Sequence, residues 1–232
     1  SSINFAKLLE MCALTQPKMR IRFSTSNPQD MSLDVIKVMS KYENICNYIH
    51  LPVQSGSNKV LKAMNRQHTR EEYIKLVENI FQIIPDCSIS HDMISGFPNE
   101  SEQDHNDTLS LMEKVKYSFG YMFKYSERPG TLAAKKLEDN IDEETKSRRL
   151  SEIVELQQKH SLYRSKKFVG KTVEVLIEKE SKKSNLHWAG RNQQNTTVVF
   201  PKENYNIGDF VNVKINSCTS ATLIGEAIAF SK

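Results

Sequence analysis

The spacing of apolar residues changes period once along the chain, close to residue 168, and that change limits the folds open to it. Up to about residue 167, short apolar runs alternate with capped amphipathic stretches. The strand candidates are RIRFSTS (20–26), NYIHLPVQ (47–54), CSISHDMISGF (87–97) and YMFKYS (121–126). Thr69-Arg70-Glu71-Glu72 is a capping box, followed by Tyr73, Leu76, Val77, Ile80, Phe81 and Ile84 at helical spacing and closed by Pro85. Ser101-Glu102-Gln103-Asp104 is a second N-terminal signature, with Leu109, Met112 and Val115 behind it. Ile3, Leu8, Leu9 and Cys12 read as one face of an opening helix. Residues 141–167 read as one long charged helix with Leu150, Ile153, Val154 and Leu162 as its apolar side. Strand–helix alternation of this kind implies a parallel sheet or a β/α barrel.

After Gly170 the period becomes two. KTVEVLIEKES, TTVVFP, DFVNVKINS and TLIGEAIAF read as strands, punctuated by Gly190, Pro201, Gly208 and Gly225. About five short strands in this length suit a small all-β barrel of the OB type. The expected class is therefore α/β, with a β/α unit over 1–167 and a small barrel over 168–232.

Composition narrows the function classes. With 38% hydrophobic and 26% charged residues and a mean hydropathy of −0.52, the chain has an ordinary globular balance. No apolar run approaches the roughly 18–20 residues of a membrane span, and no basic segment precedes an apolar one as in a secretion signal. A cytoplasmic location is the expectation, without a membrane partner. Cys12, Cys46, Cys87 and Cys218 lie far apart, so no local metal or iron–sulfur motif exists and four mostly buried thiols are expected. From Lys166 onward ten Lys/Arg face six Asp/Glu, which is all of the chain's excess positive charge and points to a polyanion there. The opening SSINFAKLLEMCAL starts partway into a helical pattern, as a fragment of something longer would.

Each strand of the first unit ends in a polar, turn-rich tip: Ser24-Thr25-Ser26-Asn27-Pro28, Gln54-Ser55-Gly56-Ser57, Gly96-Phe97-Pro98-Asn99-Glu100-Ser101 and Ser126-Glu127-Arg128-Pro129-Gly130-Thr131. In a parallel β/α architecture, loops that follow strands share the face where such folds place their sites. Two of them feed helix N-termini, which favour anionic groups. Turn chemistry alone explains each tip singly; four together make a candidate binding mouth. Asp92, inside an apolar strand, needs a partner or a ligand, and a satisfied structural carboxylate is the equal alternative. His50 reads as a hydrogen-bonded core histidine. In the second unit Lys171, Lys182, Lys183, Arg191 and Lys202 interleave with Trp188, Phe200, Tyr205 and Phe210. That is the pairing of phosphate neutralisation and base stacking that a nucleic-acid groove requires, although a barrel core with solvating lysines accounts for it too.

IRFSTSNPQD, HLPVQSGSNKVLKAMNR, DMISGFPNESEQD, FKYSERPGTLAA and GRNQQN occur in the order seen in radical-SAM methylthiotransferases, and the chain most resembles the branch acting on tRNA adenosine. The resemblance implies the C-terminal part of a radical-SAM β/α (partial TIM-like) barrel and an RNA-contacting TRAM domain. It also implies insertion of a methylthio group at C2 of an isopentenylated adenosine next to the anticodon. S-Adenosyl-L-methionine and [4Fe–4S] clusters are the implied cofactors, the tRNA anticodon stem-loop the implied partner, and a reductant and a sulfur source are implied for the parent enzyme. By position, Ser24, Thr25, Gln54, Ser55, Asp92, Gly96, Phe97 and Tyr125 match the cofactor-binding tips. Ser126 and Arg128 match the substrate edge, and the basic residues noted above, Lys171, Lys182, Lys183, Arg191 and Lys202, are the expected RNA-facing set. Asn27, His91, Asn99 and Ser101 depart from the common residues of the family. The cluster-binding cysteines are absent, so the chain alone is expected to be inactive. The rivals are a ribosomal-protein methylthiotransferase of the same family and a cluster-less RNA-binding module.

Overall fold

The computed structural model describes residues 3–25 and 27–230. α1 (Phe5–Thr15) is capped by Asn4, whose side chain accepts the Lys7 N–H. Its inward face is Ala6, Leu9 and Ala13, while Ile3, Leu8 and Cys12 are exposed. The expected face is rotated because α1 lies against α2 (Leu33–Lys41), and the two alanines let the helices come close.

The expected strand at 20–26 reduces to one bridge, Ile21 to Ile45, because its neighbour runs beside it for a single residue. Ser26 lies outside the described residues. β1 (Tyr48–His50) is also short. The chain nevertheless continues beside the next strand to Gln54. α3 (Asn58–Ala63) and α4 (Arg70–Ile83) follow, the latter with the full Thr69/Glu72 capping box. β2 (Ser88–Ser95) leads to α5 (Glu102–Val115), whose box is Ser101/Asp104. β3 (Phe119–Lys124), α6 (Leu132–Lys136) and α7 (Glu143–Lys166) complete the unit. The strands are parallel in the order β1-β2-β3, with Ile49 opposite Ile89 and Asp92 opposite Tyr121.

One face of this sheet carries Ile49, Ile89, His91 and Met93 into the helices. α7 covers it with a stripe that is mostly polar: Lys146, Arg149, Gln157, His160, Ser161 and Ser165 are buried around Ile153. Leu150, Val154 and Leu162, expected as its apolar side, are only half-buried. The stripe is polar because it satisfies groups the sheet and α5 leave open. Gln157 accepts from His91 Nε2 (2.8 Å) and donates to the Tyr117 carbonyl (3.0 Å), and Arg164 donates to the carbonyls of Lys116 and Val115 at the end of α5. Gly120 lies under the His91 ring, where a Cβ would come within 2.2 Å of Nε2.

From Thr172 the chain forms five strands closed into a barrel: β4 (Thr172–Ser181), β5 (Ser184–Arg191), β6 (Thr197–Pro201), β7 (Phe210–Cys218) and β8 (Thr222–Phe230), ordered β4-β5-β6-β8-β7. β5 went unmarked in the sequence because Asn185, Leu186 and His187 break the alternation. Val175, Ile177, Val198, Phe200, Val211, Val213, Ile215 and Leu223 fill the barrel.

The two units meet at the N-terminal ends of the parallel strands. Arg20 reaches Glu174 Oε1 (2.8 Å), the Glu174 carbonyl (3.0 Å) and the Arg191 carbonyl, and its guanidinium lies 5.0 Å from the centre of the Phe210 ring. Arg22 donates to the Asn192 carbonyl (3.0 Å), Gln193 to that of Glu43 (3.1 Å), and Gln194 to Asp86 (2.6 Å), just before β2. The small barrel is the floor of the β/α unit, and the strands' C-terminal ends are left open.

Burial pushes the His91 imidazole down from 6.5 to about 4, so it is neutral in the folded chain. A depressed histidine stabilises fully above pH 6.5 and loses that contribution as pH falls from 6.5 toward 4, up to about 3 kcal/mol at 1.36 kcal/mol per unit. His91→Gln is expected to be less stable than the parent at pH 7.5 and to lose less between pH 7 and pH 5, read as urea midpoints. Parallel losses in both proteins would contradict this.

A polar mouth at the ends of the parallel strands

The extension of β1 stays bonded to β2 across a one-residue slip in register between His50, opposite Ser90, and Gln54, opposite Met93. The Leu51 N–H donates to the Ser90 carbonyl (2.8 Å), the Gln54 N–H to that of Asp92 (2.9 Å), and the Gln54 carbonyl accepts from Ile94 (3.0 Å). There Gln54 turns into the left-handed region, φ +73°, which costs a residue other than glycine about 1–2 kcal/mol. The turn breaks the strand direction and sends the chain toward α3. Gln54 is buried, and among the described residues no hydrogen bond engages its side-chain amide.

The rest of that tip is spent on α5. Ser55 is fully buried with its hydroxyl 3.3 Å from that of Thr108, and the Gly56 N–H donates to Thr108 Oγ1 (2.9 Å). A Cβ on Gly56 would meet the Asp107 carbonyl oxygen at 2.5 Å, so only glycine fits. Ser57 donates to Asp104 Oδ1 (2.6 Å), and Lys59 to Asp104 Oδ2 (2.9 Å). Burial works to raise the Asp104 carboxyl, yet the Ser101 and Ser57 hydroxyls, the Ser101 N–H and the Lys59 ammonium hold it well below the carboxylate range.

The β2 tip is clamped from outside. Gly96, at φ +71°, donates its N–H to Glu100 Oε2 (2.7 Å), and Arg149 of α7 holds both the Glu100 carboxylate (2.9 Å) and its carbonyl (3.0 Å). Burial pushes the Glu100 carboxyl up, opposed by that N–H and by Arg149. Asn99 exchanges two hydrogen bonds with Asn140, and Lys59 donates to its carbonyl. A Cβ on Gly96 would strike the Lys146 side chain at 2.2 Å. Lys146, nearly inaccessible, pairs with Asp139 (2.6 Å) and lies 5.8 Å from the Tyr125 ring centre. Tyr125 in turn packs edge-on to Phe97 at 5.1 Å, and its N–H donates to the Ser95 carbonyl.

The sheet face opposite the helices carries a polar chain. The Tyr48 hydroxyl and His50 Nδ1 both lie 2.8 Å from Ser90 Oγ, and His50 Nε2 is 3.5 Å from Asp92 Oδ1. The Tyr121 ring stands edge-on to His50 at 6.1 Å. Asp92 therefore has a partner and remains open to a ligand, with a side-chain exposure of 28%.

Gln54, Asp92, Gly96, Phe97 and Tyr125 are thus brought to neighbouring positions at one end of the sheet. Ser24 is exposed, and Thr25 bonds only the Asn27 carbonyl (2.9 Å); no hydrogen bond joins either to the other tips. Ser126 and Arg128 are exposed beyond β3. In the barrel, Phe200 is core, Trp188 and Tyr205 pack on it, and Phe210 lies under Arg20. Lys182 and Lys183 sit in the exposed β4–β5 turn, Lys171 is exposed, Lys202 pairs with Glu180, and Arg191 lies 3.4 Å from Glu178 and bonds Asn195. The clamps Lys146, Arg149 and Glu100 were not singled out in the sequence; a run of charges in a helix reads as a solvated face unless its burial is known. Cys46 and Cys87 are buried, with burial raising both thiols, and no group of three or more His, Cys, Asp or Glu among the described residues could hold a metal ion. No helix among the described residues is long and apolar enough to cross a membrane.

Residues 2–112 match the radical SAM superfamily and residues 166–228 the TRAM domain. The chain is 70% identical over 231 residues to a tRNA-2-methylthio-N(6)-dimethylallyladenosine synthase of Christiangramia forsetii, and 67% identical over 231 residues to one of Flavobacterium johnsoniae. Each alignment covers 100% of this chain and 48% of the relative, so the chain spans about half the length of the curated relatives it matches. Among solved structures, coproporphyrinogen III oxidase from Escherichia coli, a radical SAM enzyme, superposes with a TM-score of 0.55 at 14% identity, over 81% of this chain and 50% of that one. That likeness concerns the fold.

Removing the Asp104 carboxylate frees Ser57 and Lys59 and uncaps α5 at Ser101, while the Thr108 and Arg149 contacts remain. Asp104→Ala is expected to cost about 2–4 kcal/mol in urea unfolding, from the lost cap and charged hydrogen bonds. Because the folded carboxyl lies below its ordinary 3.8, this contribution is complete above about pH 4 and lost only as pH falls further. A variant as stable as the parent at pH 7 would contradict it.

Proposed function

We propose, from the match of residues 2–112 to the radical SAM superfamily and of residues 166–228 to the TRAM domain, that the protein is part of a tRNA methylthiotransferase. In this reading it serves the addition of a methylthio group to C2 of isopentenyl-adenosine next to the anticodon, with residues 1–167 as the barrel portion and 168–232 as the RNA-contacting unit. The observation that carries it is the 70% identity across 100% of the chain to a relative named for that modification of tRNA. The partner is then tRNA at its anticodon stem-loop, and the parent's reductant and sulfur source act beyond this chain.

The mouth fits S-adenosylmethionine. A buried Gln54 amide without a hydrogen bond and a part-exposed Asp92 carboxylate stand where two strand ends meet. When bound, this cofactor supplies both the radical chemistry and the transferred methyl group. Asp92 accepts hydrogen bonds from hydroxyl or ammonium groups, and Gln54 offers a donor and an acceptor for the same ligand. The Gly96–Glu100 loop holds its backbone in place, and Phe97 and Tyr125 give an aromatic wall. Ser24, Thr25 and Ser55 complete the tips, Ser55 by fixing Gln54 against α5. Ser126 and Arg128 face the substrate side, both exposed. The residues present do not fit an iron–sulfur cluster, whose Cys ligands this chain does not contain, and in this reading the chain alone does not carry out the reaction.

Mass spectrometry of nucleosides from tRNA tests the proposal. Deleting the parent gene is expected to remove the 2-methylthio mark from isopentenyl-adenosine, and the full-length gene to restore it. An Asp92→Asn full-length protein is expected to bind S-adenosylmethionine at least ~10-fold more weakly by calorimetry, the size of one lost charged hydrogen bond. A mark that survives the deletion would overturn the reading.

A further inference from the structure

A cavity of about 680 Å³ opens beside the free edge of β3, between α7 and the small barrel. Its lining carries four cations, Arg164, Lys167, Lys171 and Arg191, against one carboxylate, Asp86, and of the four Arg191 is paired, with Glu178 at 3.4 Å. That carboxylate is already engaged by Gln194 (2.6 Å) and Asn47 (3.1 Å). Lys167 and Lys171 have no acidic partner among the described residues; Lys167 lies over the Tyr163 ring at 4.6 Å and Lys171 is exposed. Arg164 spends two of its nitrogens on backbone carbonyls, so its charge faces no carboxylate.

The opposite wall is aromatic. Tyr48 and Phe119 stack at 5.8 Å with 6° between their planes, Phe119 meets Tyr121 edge-on at 6.0 Å, and Tyr121 is 54% exposed. Ser88, 4% exposed, contributes a buried hydroxyl without any partner. Cations on one side and an accessible ring on the other are what a nucleotide chain needs, phosphates on the first and a base on the second. A concave basic wall also concentrates its field, which the convex β4–β5 turn with Lys182 and Lys183 does not.

The geometry points to this cavity as an RNA-binding cleft, with phosphates on Lys167, Lys171 and Arg191 and an unstacked base on Tyr121. The inference rests on the tRNA reading above and adds where the RNA runs: from the small barrel along the β3 edge, past Tyr121 and His50, toward Asp92. It moves the main contact away from the exposed turn lysines.

Fluorescence anisotropy of the whole chain with a labelled anticodon stem-loop tests it, across a salt series. Lys167→Glu with Lys171→Glu is expected to lower affinity at least ~10-fold and to flatten the log K against log salt slope by about 1.4–1.8, as two lost phosphates require. Tyr121→Ala is expected to lower affinity by about 5- to 100-fold with the slope unchanged, as loss of one stacked base does. Lys182→Glu with Lys183→Glu is expected to stay within about twofold. Loss in the turn variant with normal binding by the cleft variants would overturn the cleft and leave the tRNA reading intact. No stem-loop binding by the parent chain would sink both. Competition by poly-glutamate equal to that by RNA would make the cavity a general polyanion surface and overturn the assignment as well.

Discussion

A guanidinium taken out of water must be met by acceptors, and Arg20 meets that demand with groups from the neighbouring unit. Its side chain is 3% exposed, and the Glu174 carboxylate, two barrel carbonyls and the Phe210 ring close around it. Leaving such a charge without its partners costs several kcal/mol, so the small barrel cannot turn away without exposing that cost. Arg22, Glu43 and Asp86 extend the attachment along the strands' N-terminal ends. Everything else about the molecule's polarity follows. One end of the parallel sheet is sealed by the β-barrel, the other is left open, and β3 is the edge of the sheet that runs between them.

The free end is held rigid by contacts from behind it. Gln54 and Gly96 both occupy left-handed backbone, and each is fixed by a different helix: α5 through Thr108 and Asp104, α7 through Arg149 and Lys146. A tip bent this way is unfavourable in isolation, so its conformation depends on those outer clamps. Tips preorganised in that manner bind without first having to order themselves.

The period change near residue 168, both capping boxes, the long last helix and the β-barrel were legible because each rests on local spacing or a local cap. The segment at 20–26 reads as a strand from its side chains alone, yet strandedness belongs to pairs, and its partner is present for one residue. The face of α1 was misplaced because alanines give a weak hydropathy signal and a strong packing one. The inward polarity of α7 was hidden for a related reason: Lys146, Arg149 and Gln157 look solvated until His91, Glu100 and Tyr117 are placed opposite them. The polar tips stood out by their turn residues and family motifs, whereas Ser55, Gly56 and Ser57 carry the same letters whether they hold a ligand or a helix. Their bonds to α5 assign much of that tip to scaffolding and leave Gln54 as its free polar group.

α7 touches the Gly96 loop through Lys146 and the end of α5, beside the floor, through Arg164. Eighteen residues separate those two positions, about 27 Å of axial rise in an unbroken helix. The helix is therefore a strut of fixed length between the Gly96 loop and the floor, and in the tRNA reading proposed above a free nucleoside is too short to touch both ends.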